Sequence, residues 1–190
     1  MATDTVTRQD GSTAVVLDAN GNFKAASQAT ENHIGEVGGH TSFIQVTPLV
    51  TSGTPAYVSG YGVGGLMTLS GAVRVAQGTG VWESLLITDH ANQKAPYDVL
   101  IFGGSPVGGT VTDHVTFDWG SALPQLIAHL SVGAGDYTTI HARAVAQYPT
   151  IGQVIKPASG MNLYAVIVTS GTPQFAGTAD LSFTFGILTD

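Results

Sequence analysis

The chain has 190 residues, with six Lys or Arg, thirteen Asp or Glu, and a formal net charge of −7. Charged residues make up 10% of it, against about a quarter in ordinary soluble domains. Its few bases, Arg8, Lys24, Arg74, Lys94, Arg143 and Lys156, are scattered, which speaks against a nucleic-acid partner, because phosphate binding needs clustered cations. Cysteine is absent, which removes disulfides, thiolate metal sites and Cys nucleophiles.

The apolar fraction of 43% is enough for one proper core, so a single domain with an arm is expected. With so little charge, the surface has to be Thr, Ser, Gly, Ala and Gln beside some apolar residues. Such a surface suits a subunit that buries much of itself against copies of itself or a larger shell. No apolar run approaches the length of a spanning helix, so no membrane partner is expected. The polar opening Met1-Ala2-Thr3-Asp4-Thr5 lacks a signal-peptide pattern, and synthesis in the cytoplasm is the expectation.

Residues 1–40 read as an N-terminal extended arm with little core of its own. They hold a candidate hairpin, Thr13–Leu17 and Asn22–Ala25, around Asn20-Gly21, a type I′ turn sequence. Gly38-Gly39 reads as the passage from arm to body. Residues 41–190 read as the body, where strand-like runs recur at short intervals: 42–47, 65–70, 80–89, 97–102, 125–132, 137–146, 152–156, 162–168 and 181–188. Gly, Pro and Ser turns separate them, and no convincing helical stripe interrupts them. A short turn around Asp118–Pro124 is the one helix candidate. The pattern predicts an all-β fold, an antiparallel β-sandwich of jelly-roll type. Val50-Thr51-Ser52-Gly53-Thr54-Pro55-Ala56-Tyr57 recurs as Val168-Thr169-Ser170-Gly171-Thr172-Pro173-Gln174-Phe175. This is reuse of one turn solution, and it places the two loops at the same end of the sandwich.

Chemistry-bearing motifs are sparse. The six histidines, His33, His40, His90, His114, His129 and His141, show no metal-binding spacing. Asp89-His90 and Asp113-His114 are the nearest approach to a ligand set, and loop hydrogen bonding is the simpler account of them. His129 and His141 fall in strand patterns, where an interface role is expected before a catalytic one. Gly60-Tyr61-Gly62-Val63-Gly64-Gly65 has the glycines of a phosphate loop, but no helix follows it. Asp18-Ala19-Asn20-Gly21-Asn22 has its Gly too early for a calcium loop. No nucleophile elbow is present. Glu83 beside Trp82 would suit a sugar groove, although a core Trp and a solvated Glu explain the pair as well. No catalytic residue, metal or cofactor is expected. Tyr57, Tyr61 and Trp119 are candidate surface aromatics for a ligand or an interface.

Gly35-Glu36-Val37-Gly38-Gly39-His40-Thr41, Val46-Thr47-Pro48, Val63-Gly64-Gly65-Leu66 and Val73-Arg74 resemble a group of small tailed-phage structural proteins. Leu163–Pro173 and the ending Leu181–Asp190 are similar too. The resemblance implies a virion protein made in the host cytoplasm: a capsid decoration or cement subunit, not an enzyme. Its implied partners are itself, as a homotrimer, and the major capsid protein of the phage head. Phe23, Ile34, Val37 and Phe43, apolar side chains with too little local core, are the expected contacts. The alternative is a receptor- or polysaccharide-binding fibre or tip module, using the loops around Tyr57–Tyr61 and Phe117–Trp119.

Overall fold

The computed structural model describes residues 5–7, 13–17, 23–24, 40–106, 111–118, 120 and 125–189, with backbone alone before residue 40. The chain divides into two compact units, Met1–Val37 and Gly38–Asp190. In the first, β1 (Thr5–Thr7), β2 (Thr13–Leu17) and β3 (Phe23–Lys24) form a small antiparallel sheet in that order. Leu17 pairs with Phe23 and Val16 with Lys24, while the expected Asn20-Gly21 turn lies outside the described residues.

The second unit carries ten strands. They are β4 (His40–Val46), β5 (Gly62–Leu69), β6 (Gly80–Asp89), β7 (Tyr97–Phe102), β8 (Leu126–Val132), β9 (Tyr137–Ile140), β10 (Arg143–Tyr148), β11 (Gln153–Ile155), β12 (Leu163–Thr169) and β13 (Leu181–Thr189). One antiparallel sheet runs β4-β13-β6-β10-β9, with β11 on the free half of β6; the other runs β5-β12-β7-β8. The pairs nest along the chain: β7 with β8, β6 with β10, β5 with β12 and β4 with β13. The expected all-β architecture is present, in a β-sandwich-like arrangement of two antiparallel sheets.

Alternation explains the core. Leu85 and Ile87 on β6 and Phe183, Phe185 and Ile187 on β13 face inward from one sheet. Val63 and Leu69 on β5, Tyr97, Val99 and Ile101 on β7, and Leu163, Ala165 and Ile167 on β12 meet them from the other. Tyr97 and Phe183 touch across the two sheets, ring centroids 6.2 Å apart. Burying an aromatic ring of this kind contributes about 2–3 kcal/mol.

Three local readings change. The run 137–146 is two strands joined by a tight turn, with His141 at φ 57° in that turn and not in a strand. A left-handed residue cannot continue a ladder, and it reverses the chain here. Trp82 lines no sugar groove: it is 1% exposed in the core, its indole N–H donating to the Ser84 carbonyl at 2.9 Å. A bulge makes this possible, since Trp82 pairs with Ile187 and Ser84 with Gly186, leaving Glu83 as the extra residue. The Gly62–Gly65 run is likewise a bulge in an edge strand. Between Val63↔Ile167 and Met67↔Ala165, β5 spends three residues against one on β12, with Gly64 and Gly65 at positive φ.

Among the described residues there is no α-helix; a 3-10 turn spans Ala134–Asp136. No described helix is long and apolar enough to cross a membrane. Most of the 118–124 helix candidate lies outside the described residues; Asp118 itself accepts a hydrogen bond from the Gly120 amide at 3.1 Å.

Candidate functional site

The outward rows of the two sheets differ. On the β5-β12-β7-β8 sheet they read Tyr164–Phe102–Leu126, Val166–Leu100–His129 and Val168–Asp98–Ser131. These rows are apolar at one end and polar at the other. The connection from β7 to β8 runs over them, and its Val111 and Phe117 pack on a second small core of Leu100, Phe102 and Val166.

Pairing at the edge of β5 and a single carboxylate hold that connection in place. Phe117 N–H donates to the Gly60 carbonyl, His114 N–H to that of Gly62, and Gly62 N–H to that of Val115. Asp113 accepts from the Thr51 amide (2.8 Å), the Thr51 hydroxyl (2.6 Å), the Tyr57 hydroxyl (2.7 Å) and the Gly64 amide (2.6 Å). Burial first, and then this bond to a carboxylate, push the Tyr57 hydroxyl well above the usual tyrosine range. His114, at φ 58°, sets its ring edge-on to Tyr57 and Tyr61, with centroids 4.6 and 5.5 Å away. Tyr57 is 1% exposed, which removes it from the surface aromatics. A ring wedged among Phe175, His114 and the Asp113 carboxylate is part of the scaffold. Tyr61 is half-buried in the same cluster.

The two Ser-Gly-Thr-Pro loops meet, as their shared sequence suggested. Ser52 bridges Phe175, Gly53 N–H donates to the Phe175 carbonyl at 2.8 Å, and Tyr57 N–H to that of Pro173 at 2.9 Å. The shared sequence does not give one shared turn, however: Gly53 is at φ 89°, whereas Gly171 is outside the left-handed region.

Between this scaffold and the sheet lies a groove of about 490 Å³, lined by Gly60, Asp98, Leu100, Thr116, Phe117, Leu126, His129 and Val168. Its polar end is built on Asp98. His129 Nε2 lies 2.8 Å from Asp98 Oδ1, and the Ser170 hydroxyl donates to Oδ2 at 2.9 Å. A carboxylate only accepts, so the ring carries its proton on Nε2. Burial alone would raise the Asp98 carboxyl. Hydrogen bonds from His129, Ser170 and Ser131, with the charge of the imidazole, outweigh it and hold the group below the usual carboxylate range. The order Ser–Asp–His is not that of a nucleophilic triad, in which the imidazole sits between the other two. Here Ser170 gives its proton toward an anion and helps to fix it.

The outer face of the other sheet is bare by comparison. Its rows are Thr41–Leu188–Val81, Phe43–Gly186–Ser84, Gln45–Thr184–Leu86–Gln147 and Ser182–Thr88–Val145, and Arg143 continues the outward side of β10 beyond Val145. Phe43 is 72% exposed and lies across Gly186, where an added Cβ would stand 3.3 Å from its ring. A shallow hollow of about 210 Å³ opens between Phe43, Leu86, Gln147 and Thr184.

Of the expected contact residues, Phe43 is on this bare face. Phe23 falls in β3, where only the backbone is described, while Ile34, Val37 and Trp119 lie outside the described residues. Asp89-His90 and Asp113-His114 build no metal centre, and no three His, Asp or Glu groups converge among the described residues. Asp89 accepts from the Lys94 amide at 2.7 Å in its own turn. Sequence reasoning missed Asp98 and Ser170. The available signal was one carboxylate in the otherwise apolar strand Tyr97–Phe102. No known protein family matches the chain, and no curated protein matches it.

Proposed function

We propose that the protein is a virion structural subunit, a capsid decoration or cement protein that binds an assembled phage head as a homotrimer. The observation that carries this reading is the outer face of the β4-β13-β6-β10 sheet, low in charge, with Phe43, Leu86 and Leu188 exposed on it and Arg143 at its β10 margin. Burying such a surface against another copy or a shell incurs little desolvation of charge, whereas an ordinary charged surface would incur more. In the same reading the body is a jelly roll. The nested pairing of β4 with β13, β5 with β12, β6 with β10 and β7 with β8 supports it, and this architecture recurs in viral capsid and lectin domains. Residues 1–40 act as an arm that reaches a neighbouring subunit through Phe23, Ile34 and Val37. Trimer and arms together clamp the shell at several points, so modest contacts combine at high effective concentration. The major capsid protein is the partner, and the capsid surface the location.

The test is native mass, followed by co-sedimentation with heads of the phage that encodes the chain and a melt of the loaded shells. The expected result is a trimer that pellets with heads and raises their melting temperature. Phe43→Glu is expected to leave a folded protein that no longer does so, and deletion of residues 1–34 to abolish pelleting with the body intact. A monomeric full-length protein that ignores heads overturns the reading.

A further inference from the structure

The groove over the β5-β12-β7-β8 sheet is on the face opposite the one assembly would use, so its chemistry can be read independently of that proposal. We propose that it binds one neutral, hydroxyl-bearing ring, a sugar residue, with the ring's C–H face on the apolar floor and a hydroxyl on Asp98.

Size sets the first limit. A volume of about 490 Å³ falls at the small-ligand end of pocket sizes, enough for one or two rings and too little for a folded partner. The floor sets the second. Leu100, Leu126 and Val168, with Phe117 on the wall, offer a flat apolar surface that matches the C–H face of a pyranose.

The polar end sets the third. A carboxylate has about four lone-pair positions. Two donors, His129 and Ser170, already occupy Asp98, one on each oxygen, and they fix it while leaving room for another. That remaining position accepts a hydrogen bond from a ligand hydroxyl. Asp98 is held as an anion and no Lys or Arg is among the described residues lining the groove, so phosphate and carboxylate ligands are repelled. A cation is the weaker match. The carboxylate is already paired with an imidazole, and among the described lining residues Phe117 offers a single phenyl ring, no cage of the kind that holds ammonium groups.

The groove is preformed. Asp113 pins the wall that carries Thr116 and Phe117 through donors from Thr51, Tyr57 and Gly64. A weak ligand gains from this, since binding then orders little else.

The experiment is an amide NMR titration of the isotope-labelled full chain with glucose, galactose, mannose and N-acetylglucosamine. Inorganic phosphate and cyclohexylamine serve as controls. The expected result is saturable shifts for at least one sugar, confined to residues 98–102, 116–117, 126–131 and 168–170, with none for phosphate. Asp98→Asn is expected to weaken that binding roughly tenfold or more, the usual effect of losing a hydrogen bond to a charged acceptor. His129→Ala, at a half-exposed position where folding is not at risk, is expected to weaken it as well. Four results overturn the proposal: no sugar saturates, the shifts fall elsewhere, both variants bind like the wild type, or cyclohexylamine binds more tightly than every sugar.

Discussion

The two sheets share one core and present opposite outer faces. One carries a 23-residue connection, residues 103–125, with a second small core and a buttressed carboxylate beneath it. The other leaves Phe43, Leu86 and Leu188 in the open on a field of Thr, Ser and Gln. The difference follows from side-chain choice on the strands. β7 and β12 are apolar on both faces, so their outer rows need a cover within the chain. β6 and β13 alternate apolar with small polar residues, a face that tolerates water and tolerates burial nearly as well. One chain thus keeps a finished face and an unfinished one.

The largest expected effect comes from breaking the covered side at its tightest point. A Cβ on Gly64 would lie 2.0 Å from Pro48 Cβ and 2.8 Å from its Cα, at a residue with φ +73°. Gly64→Ala is expected to cost about 3 kcal/mol or more, because overpacking and a left-handed backbone act together. A denaturant melt checks it, and a loss within error would show that the bulge shifts freely.

Next comes Asp113→Asn, which keeps the shape and halves the acceptors that four donors now share. A cost of about 2 kcal/mol is expected, with the amides of 114–117 exchanging faster while those of β4 and β13 do not. Uniform loss of protection across both sheets would mean that the connection is not a separate unit of the covered face.

The smallest effect is a pH dependence at the groove. The folded-state pKa of Asp98 lies below its unfolded value of about 3.9. Its contribution to stability is therefore present above that value and is lost as pH falls through the folded pKa. Asp98→Asn is expected to be less stable than wild type by well under 1 kcal/mol at neutral pH, since the pair is partly exposed. The gap is expected to close in acid, read from thermal melts of both proteins across that range. A gap that widens in acid would contradict the buttressing of Asp98.

The strands themselves were legible. β6 and β7 fall where the runs 80–89 and 97–102 placed them, because β-rich segments between Gly and Pro turns leave little alternative. That the two Ser-Gly-Thr-Pro loops share one end of the body was legible from their common pattern, but their direct pairing was not. The groove was not. Asp98 lies 31 residues from His129 and 72 from Ser170, and no local spacing announces a meeting of that kind. The burial of Tyr57 depended on Asp113, 56 residues away. His141 looked like a strand residue because nothing in Thr138–Ala144 marks a turn; only the pairing of β9 with β10 requires one.

By itself, then, the sequence determined an all-β chain of low charge and the positions of most of its strands. Period-two alternation and turn residues are local physics, and they act before any long contact forms. Tertiary structure decided which strands are neighbours, which outer face is covered, and which polar groups converge. Those outcomes rest on contacts between residues far apart in the chain, and strands apolar on both faces leave the choice of covered face to the fold as a whole.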